Sequence, residues 1–229
     1  MPERAGRLRC VTPPERSLTE FWPIFGLRLA TPRLTLTPLQ DCDLVETIDL
    51  VLDGIHDPTS MPFKMPWTDA PREELIPNSL RYYWTSRAAS TPDNWTLPLM
   101  VRRAGVLVGM QELAAKNFAV TRTVGTGSWL GAAHQGNGIG TEMREAVLQF
   151  AFDHLKAVRA DSGAFTDNPR SMRVSEKLGY RHDGTAVLQR RPGERAVEQR
   201  LTLGPGDFRR SNWAVQVRGL PLCRSYFGL

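Results

Sequence analysis

The segment LGAAHQGNGIGTEMREAVLQFAF, residues 130–152, decides the fold. Gly136, Gly138 and Gly140 stand directly ahead of a run whose apolar residues recur at spacings of three and four. Such spacing predicts an amphipathic helix of about four or five turns. The preceding segment, 118–131, is predicted to be a strand that ends in glycines. A strand, a glycine-rich turn and a helix start together expose backbone N–H groups that suit a phosphate or pyrophosphate.

The glycine spacing also indicates which anions to set aside. No Gly-Lys-[Ser/Thr] follows the glycines, so the nucleoside triphosphate loop is not indicated. Gly-x-Gly-x-Gly differs from the dinucleotide signature Gly-x-Gly-x-x-Gly, and no acidic ribose partner follows a second strand at the required distance. A nucleotide-dependent oxidoreductase is therefore a weak alternative.

The rest of the chain alternates between period-two and helical patterns. We predict a strand over 27–39, a helix from an Asp41 N-cap to Gly54, and a second helical stretch over 69–89 with a kink or break at Pro77. The remaining predictions are a hairpin over 95–115, a strand over 157–165, a short helix over 168–180 and a final hairpin over 181–203.

Length and composition predict one globular domain with two appendages. The chain has 229 residues, of which 41% are hydrophobic, enough for one sizeable core. We expect an N-terminal extension over 1–26, a catalytic or binding domain over 27–206, and an appendage over 207–229 that packs on the domain or on a partner. No run approaches the roughly 20 apolar residues that cross a bilayer, so we expect a cytoplasmic protein without a membrane partner.

Metal and nucleic-acid functions are not indicated. The three cysteines form no Cys-x-x-Cys pair, and the four histidines are scattered, so we expect no metal. The net charge of +5 is not gathered into a stripe interleaved with aromatic residues, which disfavours nucleic acid as a partner.

Three segments together resemble a known family. Gln135 to Gly140 after a strand resembles the [Gln/Arg]-x-x-Gly-x-[Gly/Ala] pyrophosphate loop of the GNAT acyltransferases. Downstream, DNPRSMRVSEKLGYRHDG (167–184) is similar to the block that follows in the Rim-like branch, the relatives of ribosomal-protein N-acetyltransferases. The opening LATPRLTLTPL (29–39) is similar to the first strand of that branch, so the resemblance spans about 27–203.

The resemblance implies an α/β (α+β) fold, a central mixed and mostly antiparallel sheet that splays between its fourth and fifth strands and is flanked by helices. Acetyl-CoA or another short acyl-CoA enters the gap from one side and an amine from the other. Trp129 and Leu130 would meet the pantetheine and thioester through their backbone, and Asn168 with Ser171 would contact the pantetheine arm. The residues that would hold the pyrophosphate are Gln135, Gly136, Asn137, Gly138, Ile139, Gly140 and Thr141.

The catalytic acid and base depart from the family pattern. Many relatives carry a tyrosine seven residues beyond the asparagine, where this chain has Ser175, and several carry a glutamate where this chain has GTGSW (125–129). The predicted proton donor to the thiolate is therefore Ser171 or Ser175. Glu112 or His134 would receive the proton of the amine, and for both the alternative is a surface or loop residue.

We expect the amine acceptor to be a peptide N-terminus, a lysine or a small metabolite. The loop HDPTSMPFKMPWTD (56–69) either covers the core or lines a substrate pocket. Phe63, Trp67 and Tyr83 are the predicted substrate-binding residues.

Two further alternatives stay open. The small residues Gly127 and Ser128 leave room for a larger acyl group such as succinyl, with Arg122 or Arg173 as its carboxylate partner. The missing tyrosine and glutamate allow a non-catalytic CoA-binding or sensing module. Aromatic residues of the tail, among them Trp213, Tyr226 and Phe227, suggest packing on the chain's own sheet or a homodimer.

Overall fold

Nine strands form one mixed sheet in the computed structural model, which describes residues 16–229. Residues 1–15, most of the predicted N-terminal extension, lie outside the described part. The strand order is β7-β8-β6-β5-β4-β3-β2-β1-β9, and β5 with β6 is the parallel pair. The strands are β1 (Arg28–Ala30), β2 (Leu34–Pro38), β3 (Asn94–Arg103), β4 (Val106–Lys116), β5 (Thr123–Leu130), β6 (Arg159–Phe165), β7 (Arg181–Arg191), β8 (Glu194–Leu203) and β9 (Gln216–Arg218).

Helices cover both faces of the sheet. They are α1 (Leu18–Phe21), α2 (Leu44–Leu52), α3 (Arg72–Ala89), α4 (Phe118–Thr121), α5 (Ile139–Gln149), α6 (Pro169–Leu178) and α7 (Leu220–Cys223). Leu130 packs with the α5 side of the core, whereas its neighbour Trp129 packs with the clusters that contain α2 and α3. Successive residues of a strand point to opposite faces, so β5 contributes to both layers. No described helix is long and apolar enough to cross a membrane.

Several predicted boundaries were wrong for identifiable reasons. The strand expected over 27–39 is divided into β1 and β2 by a bend at residues 31–33. Helix α2 begins at Leu44, after a 3₁₀ turn, so Asp41 is not its N-cap. Pro77 neither ends nor breaks α3, which continues through it.

The predicted strand over 118–131 was wrong at its beginning. Residues Phe118–Thr121 form a single helical turn, because Asn117 and Arg122 on either side adopt left-handed backbone conformations, with φ of 50° and 48°. The strand itself starts at Thr123.

The C-terminal tail lies on the same domain. Strand β9 pairs with the edge strand β1 in antiparallel register, Leu29 opposite Val217. Phe227 is fully buried, with its ring centroid 5.1 Å from that of Trp95 and 5.8 Å from that of Phe150. The tail aromatics therefore have a partner within the chain.

The sheet opens between β5 and β6. The two strands pair over only three residues each, from Thr123 opposite Arg159 to Gly125 opposite Asp161. Beyond that point β5 stays paired with β4 as far as Leu130, and β6 stays paired with β8 as far as Phe165. We call the unpaired region the strand gap. Because the strand that was predicted over 27–39 is two strands, β5 and β6 are the predicted fourth and fifth strands, and the predicted splayed α/β fold is confirmed.

Candidate active site

The glycine loop lies where β5 ends and α5 begins. Gly136 and Gly138 have φ of 80° and 75°, a left-handed conformation that side chains disfavour. Gly138 is the N-cap of α5. Gly140 differs, since a Cβ there would meet only ordinary contacts, with Leu130 Cδ1 at 3.7 Å. The positive φ values therefore favour glycine at positions 136 and 138. The backbone of the loop leads directly into the N-terminus of α5.

Gln135 fixes the loop to its surroundings through its side chain. Its Nε2 donates to the carbonyl oxygens of Leu130 (3.0 Å) and Ile55 (2.8 Å). Its Oε1 accepts from the Arg170 guanidinium at 2.7 Å. With its amide engaged in this way, Gln135 orients the loop, and the groups left to face a ligand are those of the backbone.

Arg33 joins this loop, and sequence reasoning missed it. Its Nε donates to Glu142 in the first turn of α5 at 2.6 Å, and its Nη1 donates to the carbonyl of Asn137 at 3.2 Å. Glu142 also accepts from the Thr31 hydroxyl at 2.6 Å. The bend between β1 and β2 therefore holds a half-exposed guanidinium beside Gly138. No local sequence signal identified Arg33, because a first-turn glutamate is already favourable beside the helix dipole, and the fold alone brings Arg33 to Glu142.

The start of α6 brings together the predicted pantetheine contacts. Asn168 caps the helix by accepting from the backbone N–H of Ser171 at 3.2 Å, and Pro169 follows at the first helical position. The Ser175 hydroxyl donates to the carbonyl of Ser171 at 3.2 Å. Ser175 is fully buried, so its hydroxyl lies under the helix rather than at its surface.

Arg144 of α5 is buried next to the strand gap. It is 5% exposed, and it donates from Nη1 to Ser175 Oγ and from Nη2 to Ser128 Oγ, both at 3.1 Å. Its Nε has no hydrogen-bond partner, and no salt bridge joins it to a carboxylate within residues 16–229. Burial lowers the pKa of this guanidinium from its usual value.

Glu112 lies on the opposite face of the sheet. It is opposite Gly127 in the β4–β5 register, and its Oε1 would be 4.0 Å from a Cβ on Gly127. The Tyr82 hydroxyl of α3 donates to Glu112 Oε2 at 2.6 Å. Burial and the Glu112 charge raise the pKa of Tyr82, so its hydroxyl stays protonated and keeps one carboxylate oxygen in place.

A second carboxylate, Glu198 of β8, lies across the strand gap and was also missed. It is 4% exposed and leans over Gly163 of β6 so closely that a Cβ there would clash with it. Lys64 of the loop over 56–69 is its salt-bridge partner at 2.7 Å. Gly127 and Gly163 each lie two residues beyond the last paired positions of β5 and β6, so the two carboxylates flank the start of the gap.

A groove of ≈ 1090 Å³ lies on the α3 face of the sheet, beside Tyr82. Its wall includes Tyr82 and Ser86 of α3, Gly125 of β5, and Arg159 and Asp161 of β6. We call it the acceptor-face groove. It ends at the paired portion of β5 and β6, next to the point where the strand gap starts.

The three predicted substrate-binding residues lie in different environments. Phe63 and Trp67 contact each other with ring centroids 5.4 Å apart and ring planes tilted by 43°, and both pack with Trp129 against the same small core cluster. Tyr83 is 4% exposed and packs in the small core with Met100 and Met110. Tyr83 therefore has little surface for a substrate, and its neighbour Tyr82 has more.

The remaining predicted groups are placed as follows. His134 is the last residue of the 3₁₀ turn that links β5 to the glycine loop, whereas Glu112 lies within β4. Ile139 is buried in the core, and Thr141 lies in the first turn of α5. Among residues 16–229 no group of three or more His, Cys, Asp or Glu side chains could hold a metal ion.

The fold therefore places the glycine loop on one side of an opened sheet and the carboxylates of Glu112 and Glu198 on the other. Residues 33–181 match the family model described as the acetyltransferase (GNAT) domain. The chain belongs to this family, and the predicted family is confirmed.

The chain is similar in sequence or in fold to several known proteins. It is 38% identical over 80 residues to "Probable N-acetyltransferase YjcK" of Bacillus subtilis, a match that covers 35% of this chain and 44% of that one, less than half the relative's length. Solved structures that share the fold include Mycobacterium smegmatis RimJ in complex with CoA-disulfide (17% identity, TM-score 0.63, 81% of this chain and 88% of that one). Mutant forms of the spermidine/spermine N-acetyltransferase SpeG from Vibrio cholerae share it as well (19%, 0.56, 77% and 96%).

Proposed function

We propose that this protein transfers an acyl group, acetyl in the first instance, from an acyl-CoA to a primary amine. The observation that carries the proposal is the unpaired segment of β5 beyond Gly125, with the glycine loop at its end and Glu112 over Gly127. Direct attack of an amine on a thioester needs alignment of the two reactants and donors for the developing oxyanion. An open strand between two binding faces meets both needs.

The donor side uses backbone groups. The N–H groups of the glycine loop and the start of α5 would hold the pyrophosphate, with the Arg33 guanidinium beside them. An unpaired strand can bind an extended ligand through main-chain hydrogen bonds, which suits the amides of pantetheine along Trp129 and Leu130. Asn168 and Ser171 at the start of α6 complete this side.

The acceptor side uses the two carboxylates. An ammonium that arrives along the acceptor-face groove is attracted to Glu112 and Glu198, and Lys64 already makes such a contact within the chain. Tyr82 occupies Oε2 of Glu112, so Oε1 over Gly127 is left to take the proton of the attacking amine. Glu112 would thus take, from the neighbouring strand, the place of the glutamate that several Rim-like relatives carry on the strand equivalent to β5.

The leaving group takes a proton on the α6 side. As the amine nitrogen bonds to the thioester carbon, the C–S bond breaks and the CoA thiolate forms. Ser175 donates its hydroxyl proton to the Ser171 carbonyl and accepts from Arg144, so it is already engaged. Ser171 is the better placed donor, either directly or through water.

The proposal is tested with a panel of amines and acetyl-CoA, with products identified by mass spectrometry. The panel contains a peptide with a free N-terminus, the same peptide Nα-blocked with one internal lysine, and a polyamine. Each has an N,N-dimethylated counterpart as its control. We expect a mass increase of one acetyl group on at least one primary amine and none on its dimethylated counterpart. Binding of CoA with no acylated product would favour the CoA-binding module instead.

The cellular setting is part of the proposal. We propose a cytoplasmic location, where acyl-CoA and primary amines are both present.

A homodimer is also proposed, and size-exclusion chromatography with light scattering tests it. The tail aromatics do not support it, because they pack on the chain's own sheet.

A further inference from the structure

Arg144 carries a charge that nothing in the described chain balances. Three other arginines with largely buried side chains, Arg102, Arg190 and Arg191, each contact at least one carboxylate. Arg144 is the more deeply buried, contacts two neutral serine hydroxyls, and leaves its Nε without a partner. An ionised group of this kind is costly to bury unless an opposite charge reaches it.

The position of Arg144 shows where that opposite charge would come from. The guanidinium bridges Ser128, in the part of β5 that borders the strand gap, and Ser175 of α6. It lies on the face that also carries α5 and the glycine loop, opposite the face of Glu112 and Tyr82. A ligand threaded from the glycine loop along the gap reaches this region with its acyl end.

We propose that Arg144 binds a terminal carboxylate of the acyl group, so that among donors with a four-carbon acyl group a dicarboxylic acyl-CoA such as succinyl-CoA is preferred over a neutral one. The inference rests on the proposed function and names its donor class. Ser128 Oγ accepts from the guanidinium, which leaves its hydroxyl proton to donate to the same anion. Arginine suits the task because its planar fork matches a carboxylate.

The two arginines predicted from the sequence for this role are less suitable. Arg122 precedes β5, at the paired end of the two strands, and its guanidinium lies over the Phe118 ring at 5.2 Å. Arg173 is on the exposed side of α6. Arg144 differs from both in being buried and in contacting the open part of β5.

The thiolate of the departing CoA is a second source of negative charge. A residue that stabilises the thiolate acts equally on every donor, because all acyl-CoA thioesters release the same group. A residue that binds a terminal carboxylate acts only on donors that carry one. The ratio of kcat/KM for two donors therefore separates the two roles.

The experiment measures kcat/KM for succinyl-CoA and for butyryl-CoA, an uncharged donor with the same number of acyl carbons, with one amine acceptor. The proteins are the wild type, Arg144→Met and Arg144→Lys, with circular dichroism as the check on folding. We expect the wild type to favour succinyl-CoA, the ratio to fall by about 100-fold in Arg144→Met, and Arg144→Lys to restore part of it.

Three results would overturn the inference. The first is a wild-type kcat/KM that is no higher for succinyl-CoA than for butyryl-CoA. This result does not depend on whether any variant folds. The second is an equal loss for both donors in Arg144→Met, which assigns the residue to the leaving group or to structure. In either case transfer of any acyl group leaves the proposed function standing. Absence of transfer from every donor to every amine removes both together.

Discussion

Replacing Gly138 by alanine tests the glycine loop against a matched position elsewhere. Gly138 and Gly193 have almost the same positive φ, 75° and 76°. Gly193 lies in the turn between β7 and β8, where a Cβ meets nothing within 4 Å, and at Gly138 the nearest atom is Nη2 of Arg33 at 3.4 Å. The two substitutions therefore impose similar strain, and only one of them changes the proposed pyrophosphate site.

The structure gives the magnitude of each effect. A left-handed conformation costs an alanine about 1–2 kcal/mol. For a chain of this length each kcal/mol lowers Tm by about 2–4 °C, so both variants should lose about 2–8 °C. In Gly138→Ala the alanine methyl group should also displace the CoA pyrophosphate from the backbone N–H groups of the loop. Loss of one hydrogen bond to a charged group, about 1.5–3 kcal/mol, weakens binding by about 10- to 150-fold.

The assay is calorimetric titration with desulfo-CoA, alongside thermal unfolding of both variants. We expect Gly193→Ala to bind as the wild type does and Gly138→Ala to bind at least about 10-fold more weakly, with similar falls in Tm. Equal affinities of the two variants would refute the reasoning, because the glycine at 138 would then serve only the turn.

Three further predictions concern the scaffold. Phe227→Ala should destabilise the protein by about 3–5 kcal/mol in urea unfolding, since the ring is fully buried; a loss under 1 kcal/mol would mean that the tail does not pack as described. Glu142→Gln should lower Tm by about 2–4 °C through its contact with the half-exposed Arg33, and an unchanged Tm would contradict that contact. Burial raises the pKa of the Cys223 thiol to about 11, so at pH 8 iodoacetamide should modify the exposed Cys42 well before Cys223, as read by peptide mass spectrometry. The stability that the protonated Cys223 thiol contributes is present below the pKa of this thiol in the unfolded chain, and it is lost as pH rises towards 11. Equal rates for the two cysteines would be inconsistent with that burial.

Local patterns allowed most of the fold to be predicted. The three-and-four spacing after Gly138 predicted α5, and the period-two patterns around Gly105 and Gly193 predicted both hairpins. The glycines with positive φ were recognisable because few other residues take that conformation. Helix α4 was missed because the left-handed conformations of Asn117 and Arg122 leave only a weak mark in sequence.

The site was less predictable because its key contacts join residues far apart in the chain. Glu198 reaches Gly163 and Lys64 only once β6, β8 and the loop over 56–69 are assembled. In the sequence Arg144 is one polar residue of an amphipathic helix, and only the folded structure shows that it donates hydrogen bonds to Ser128 and Ser175. Residue spacing along the chain does not predict which distant residues will meet in such a site.

The measurement that tests the central claim most directly is amine-dependent release of CoA thiol by the wild type and by Glu112→Gln. If the strand gap aligns an acyl-CoA with an amine activated by Glu112, the wild type releases thiol only when a primary amine is present. The substitution should then lower kcat by about 10²- to 10⁴-fold, because general-base catalysis is lost. Thiol release that is independent of any amine, or equal rates for the two proteins, would contradict the account.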